Sequence, residues 1–438
     1  MIVPHMLDRR AVLKSALAAP VAIEAARATA QSRGKELFGP DRLLADVRAF
    51  ANAGNKQSGG PGDRWSADWT AERLADAGFS VERQSFDVPF FISSRCELKI
   101  GSLQIPLVAQ PLVVPTEGNG LTAPLRLADS PGRLDGAIAL VRLPYRRWSS
   151  ILDKLAHRAI ADALGRGASA AILVTHGPTN EVLLLNAPAA EPLYSRPLAL
   201  LAPKLAKPVV EAARYARTAT LRLEGRGGSR QAENIIGRRS VSGGRWLVIS
   251  TPRSGWTDCV GERGPGLAIW LALANWVPYA FPQHSLLLIN SSGHEYENLG
   301  AGHLVADHGP PPAGTDFWLH LGANAATRDW HETPDRLLPL PSADPYRFLM
   351  VSPDLVGLAR DIFAGQPGIE MAYPSSEGTA GELTEIVKAG YPRHAGIFGA
   401  HRQHHSASDD MSTIVPAPLA TTARGFRDLL SSAISTPR

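Results

Sequence analysis

Cys96 and Cys259 are the only cysteines in 438 residues. They are too few and too far apart in sequence for a disulfide framework or a cysteine-rich zinc ribbon. Any metal held by this chain must therefore be held by histidine and carboxylate, and 13 His and 41 Asp plus Glu are available. Charge is modest too. The formal net charge is +4, and residues 1–30 hold Arg9, Arg10, Lys14 and Arg27 against Asp8 and Glu24, which leaves about +2 for the rest. That balance carries no basic footprint for nucleic acid. Beyond the N-terminal stretch no run approaches the roughly 18 apolar residues of a membrane span. What is present is an apolar content of 44% with 20% charged residues, the composition of a globular chain long enough for two domains.

The N-terminal stretch "LDRRAVLKSALAAPVAIEAARATAQS" sets the pair Arg9–Arg10 before an Ala-rich segment and the small residues Ala28 to Ala30. This looks like a twin-arginine export signal over residues 1–30, cleaved near Gln31. An amphipathic helix is the other reading. An export signal predicts a periplasmic or secreted protein.

Residues 41–54, "DRLLADVRAFANAG", have apolar positions at helical spacing. A Gly/Pro-rich loop, "GNKQSGGPGDRW", leads to a second helical pattern and then to "FSVERQSFDV", which alternates as a half-buried strand does. From about Cys96 to Gly228 the texture becomes short strands with many Pro and Gly, around the helical "ILDKLAHRAIADALGRG". That is a small α/β insert. His157 and His176 within it read as ordinary surface or interface residues. From "AENIIGRR" onward, strands ("RWLVIS", "HSLLLIN", "TDFWLHLGA", "AGYPRHAGIFG") alternate with helices ("GPGLAIWLALANWV", "SPDLVGLARDIFAG"). The pattern predicts a mostly parallel sheet with helices on both faces.

In such sheets, ligands collect beyond the carboxyl ends of the strands. The residues following those ends are Arg253, Ser254, Trp256 and Glu262; then His294 and Glu295; then His320; then His401, His404, His405 and Asp409 in "FGAHRQHHSASDD". Potential ligands thus converge on one sheet edge from four loops. The helix-borne H-E-x-x-H zinc motif is absent, because Asn298 stands four residues after His294. "GHEYEN" is a strand-end pair instead.

The order of these pieces resembles the zinc aminopeptidases that share a fold with glutaminyl cyclases. The resemblance rests on the "GGPGDRWSADWTAERLADAGFSVERQSF" lead-in, the inserted segment, the "AENIIG" entry and the succession of strand-end motifs. It implies a three-layer α/β domain made of residues 31–95 and 229–438, and a protease-associated insert at 96–228. The family's first His and Asp ligands fall on Pro252 and Ser254, neither of which can replace them. Its metal-bridging Asp falls on Glu262, its general base on His294, its next ligands on Glu295 and His320, and its last His on His405.

The resemblance therefore implies one zinc ion, held through Glu262, Glu295 and His405, with His320 a fourth ligand or an outer donor. His294 would be the proton shuttle. Arg253, Ser254 and Trp256 form a composition suited to gripping an acidic or aromatic part of a small peptide or amide substrate, Arg253 clamping a carboxylate. Structural alternatives stand beside each assignment: Glu262 as a helix-start carboxylate, His320 as a satisfied core histidine, the late histidines as a solvated loop, Arg253 in a surface ion pair. The expected function is metal-dependent amide hydrolysis. The alternatives are a silent binding or scaffold protein on the same fold and a single-zinc cyclase.

Overall fold

The computed structural model describes residues 35–110, 112–333 and 336–435; the export-signal segment lies outside these. Helix α1 (Pro40–Asn52) opens with Pro at its first position, where φ is already helical and no N–H is needed. It buries Leu43, Val47 and Phe50 at helical spacing. Helix α2 (Pro61–Asp76) starts the same way, and its Arg73 reaches the buried Asp46 of α1 at 2.7 Å.

Strands β1 (Ser80–Ile100) and β2 (Thr218–Arg239) run antiparallel along almost their whole length as one ribbon. The expected insert limits, 96 and 228, both fall inside these strands. The alternation in "FSVERQSFDV" does not stop where the composition changes, because the ribbon passes from one body to the other. At one end β2 pairs with the main sheet through residues 235–239, and at the other with an insert strand through 218–221.

In the main sheet, β3 (Trp246–Pro252), β4 (Ser285–Ser291), β5 (Thr315–Leu321), β6 (Arg347–Val351) and β7 (His394–Gly399) lie in the order β6-β7-β5-β3-β4-β2. The four central strands, β7-β5-β3-β4, are parallel; β6 and β2 flank them antiparallel. The chain switches sides of β3 between β4 and β5, the topology that opens a crevice at the strand ends.

Period-two alternation sends side chains to two layers. Leu247, Ile249, Leu286, Leu288, Phe317 and Leu319 face α1, the central helix α3 (Val260–Ala280) and the C-terminal helix Pro416–Ser435. Val248, Leu287, Ile289 and Trp318 face the other way, onto Leu304, Leu383 and Ile386 from two shorter helices. The mostly parallel, three-layer α/β sheet expected from the sequence is observed. The insert has a second sheet, mainly parallel, with helices Lys154–Gly165 and Ala206–Arg214 on its two faces.

Candidate metal centre

Helix α3 brings the first site residue. Pro265 cannot donate to the Gly261 carbonyl four residues back, and Thr327 Oγ1 does so instead at 2.8 Å. The N-terminal N–H groups of Gly261 and Glu262 donate to Asp409 Oδ1 and Oδ2 at 2.6 and 3.0 Å. Asp409 is therefore a helix cap. Gly261 is required there, since a Cβ would lie 2.7 Å from Asp409 Oδ1. The cap fixes Glu262 at the start of the helix, completely buried.

The cap also anchors the loop that carries the late histidines. His401 Nε2 lies 3.4 Å from Asp409 Oδ2, and the His401 ring stands edge-on to His404. His404 and His405 stack at 4.3 Å between ring centroids, an arrangement of neighbours made possible by the left-handed backbone of His405 (φ 55°). His405 Nδ1 donates to Leu184 O of the insert at 2.9 Å, and Leu184 N donates back to His405 O at 2.9 Å. With Nδ1 so engaged, Nε2 carries the lone pair. It lies 3.6 Å from Glu262 Oε1, with His404 Nε2 at 4.0 Å from the same oxygen.

Glu262, His404 and His405 are the one group of three or more potential metal-ligating side chains brought together among the described residues. Both Glu262 oxygens and His405 Nε2 are buried without a hydrogen-bond partner. One carboxylate and two imidazoles are a donor set for zinc. Burial works to raise the Glu262 pKa, but Arg263, then His404 and His405, outweigh it and hold the carboxyl well below its usual range. Burial, opposed by Glu262, keeps His404 neutral with a pKa well below the imidazole value. Both are in the protonation state a ligand needs.

Glu295 stands outside this group. Its Oε1 accepts from Ser58 N and Oγ at 2.8 and 2.7 Å, and its Oε2 accepts from Ser254 Oγ at 2.7 Å. Ser58 reaches it because the Gly-rich loop pairs with the β3–α3 loop, Lys56 N to Thr257 O and Gly255 N to Lys56 O. Ser254 is thus a donor to Glu295, buried away from substrate.

Arg253 is also an interior residue. It is fully buried, with Nε 2.9 Å from Asp63 Oδ1, Nη1 donating to Asn290 O and Nη2 to Glu233 O. Fully buried and absent from the lining of the cleft beside His294, it does not face a substrate carboxylate. Trp256 is buried likewise, its Nε1 donating to Asn186 Oδ1 of the insert at 3.0 Å. A short polar loop between glycines reads as a gripping surface in sequence; here it is the packing under the site.

His294 points the other way from Glu295, into an open cleft of about 760 Å³ between the main domain and the insert. Its Nδ1 lies 3.6 Å from Glu382 Oε1. Glu382, which the sequence did not single out, is held by Ser291 Oγ at 2.9 and 2.8 Å. Although its burial acts to raise the pKa, the neighbouring His294 imidazole, then His320 and Ser291, bring it below the ordinary value. His320, on the Trp318 face of β5, also lines the cleft, as does His404. Its Nδ1 is 2.9 Å from Ser250 Oγ, and burial, despite Glu382, lowers its pKa to about 4. His320 is therefore a neutral cleft residue outside the Glu262 group. The insert contributes Arg146, Trp148 and Asn186 to one wall, and Tyr346, Phe348 and Phe398 line the other.

This is the fold of the zinc aminopeptidases. A peptidase precursor from Shewanella amazonensis SB2B superposes with TM-score 0.69 at 16% identity, covering 96% of this chain and 98% of that one. The zinc aminopeptidase BSAP of Bacillus subtilis gives 0.66 at 18% identity over 91% and 94%, and the aminopeptidase of Aneurinibacillus sp. strain AM-1 gives 0.64 at 15% over 92% and 94%. No family model and no curated protein matches the sequence. At these identities the likeness establishes the fold, which is the resemblance expected from the strand-end motifs; function has to come from the site.

Proposed function

We propose that the protein is an exported, zinc-dependent hydrolase of small peptide or amide substrates, with a single ion at Glu262, His404 and His405. The observation that carries this is the convergence of three buried ligand groups in which His405 Nε2 and Glu262 Oε2 have no hydrogen-bond partner and Glu262 Oε1 has, outside the group, the ion pair with Arg263. When bound, zinc supplies a Lewis acid and an activated water.

The chain's own part is orientation and proton transfer. His294, exposed to the cleft with Nδ1 toward Glu382, offers Nε2 to a substrate and moves a proton between the attacking oxygen and the leaving amine. Ser291 fixes Glu382, and Glu382 fixes the imidazole. The aromatic wall and the insert exclude water from a bound substrate. Arg9–Arg10 supports export, and the segment 96–228 is proposed as a protease-associated insert.

Elemental analysis and an assay on amino-acid amides test the proposal together. About one zinc per chain with zinc-dependent hydrolysis is expected, and a cyclised product in place of a free acid would point to the single-zinc cyclase. A silent binding protein is the alternative, favoured by the contact of Glu262 with Arg263. Metal-free protein that takes up no zinc on dialysis supports that alternative.

A further inference from the structure

Glu262 supplies the only carboxylate of the triad, and a second cation already stands against it. Arg263 Nη2 lies 2.6 Å from Glu262 Oε1, the oxygen that also faces His404 and His405. Adjacent residues on a helix point about 100° apart, so this meeting requires the Arg263 side chain to turn back. It is held there by Nε, which donates to Ser254 O at 2.9 Å.

A structural ion pair is the simpler explanation, and Arg253 shows what one looks like in this interior. The Arg253 guanidinium spends its donors on Asp63, Asn290 and Glu233. Arg263 is as deeply buried, yet neither Nη1 nor Nη2 has a hydrogen-bond partner. Its one strong relationship is electrostatic, with the metal-site carboxylate. A guanidinium cannot shed its proton when another cation arrives, and leaving would strand it in a dry interior.

We propose that Arg263 is a resident cation of the centre: it fills a second cation position at Glu262, limits the site to one divalent ion and weakens the hold on that ion. This rests on the metal-site assignment above. The donor set contains one carboxylate, and the Arg263 guanidinium against it offsets that negative charge. The net effect is a charge-compensated cradle where affinity for a divalent ion would otherwise draw on an uncompensated carboxylate.

The test is zinc titration against a chromophoric chelator in the wild-type chain, Arg263→Gln and Arg263→Lys. One ion in the wild type, similar affinity in the lysine variant and at least about tenfold tighter binding in Arg263→Gln are expected. A glutamine variant with native circular dichroism and wild-type or weaker affinity overturns the inference while leaving the zinc site standing. Zinc bound by Arg263→Gln and not by the wild type supports Arg263 as the cation and sinks the zinc-enzyme proposal. No uptake by any of the three overturns both. Should the glutamine variant fail to fold, anomalous scattering from zinc-soaked wild-type crystals decides: one peak beside an unmoved guanidinium supports the inference, and two peaks, or Arg263 displaced, overturn it.

Discussion

His405 and Leu184 bind each other twice, through the His405 Nδ1 to Leu184 O bond and the Leu184 N to His405 O bond, across 221 residues of sequence. The insert is thereby tied to the candidate metal centre. Asn186 and Ala187, next along the same segment, take Trp256 Nε1 and bond to Glu295 O. One short stretch of the insert holds three of the loops that form the site.

Leu184→Pro removes the N–H that His405 O accepts. The His405 ring keeps Leu184 O as its partner but loses the second bond that holds the two segments together, so a fall in metal affinity of up to the ~10–100-fold typical of losing an outer partner is expected by chelator competition. Wild-type affinity in a folded Leu184→Pro chain would show that the insert is a bystander.

His404→Ala and His405→Ala should each release most of the bound zinc. His401→Ala should not, because His401 faces the helix cap Asp409; it should lower stability instead. Elemental analysis after dialysis separates these outcomes. Zinc retained in both His404→Ala and His405→Ala contradicts the triad.

His294→Ala should lower kcat by ~10²–10⁴ with little change in KM. Glu382→Gln should move kcat in the same direction, since the ring loses its orienting carboxylate. Unchanged kcat in His294→Ala makes that residue structural.

The pH dependence of stability has a definite sign at His320. Its folded pKa, about 4, lies below the ordinary 6.5. Between those values the unfolded chain binds a proton that the folded chain refuses, so stability is complete above about pH 6.5 and falls as pH falls toward 4. His320→Asn should flatten this limb by up to ~1.4 kcal/mol per pH unit, measured from urea unfolding at pH 7 to 4.5. His404 shares the direction, so some slope persists; parallel curves for wild type and variant would falsify the assignment.

Arg253→Ala should cost about 3–5 kcal/mol, because Asp63 is left charged and buried without its partner. Substrate affinity should be untouched in whatever protein folds. A well-folded variant with a raised KM would restore Arg253 to the substrate.

The strand and helix order, the two-layer alternation and the edge where ligands gather were legible in the sequence because each is a local pattern. "HSLLLIN" alternates between faces wherever it sits, and its end must lie at the end of a strand. The late-loop histidines were visible as a cluster by their spacing. Which of them turns inward was not, and neither was the role of Glu382, since "AGELTEIVKAG" holds two glutamates and no pattern separates them.

By itself the sequence determined that this is an α/β protein whose candidate ligands are His and carboxylate at one sheet edge. Only the tertiary structure decided the membership of the site. Ser58, distant in sequence, satisfies Glu295 and withdraws it from the triad; Asp63 and Asn290 absorb Arg253; Leu184 sets the His405 ring. In a dry interior a polar group's role is set by which partner meets its unspent hydrogen bonds. That partner arrives from another part of the chain, and local sequence has no record of it.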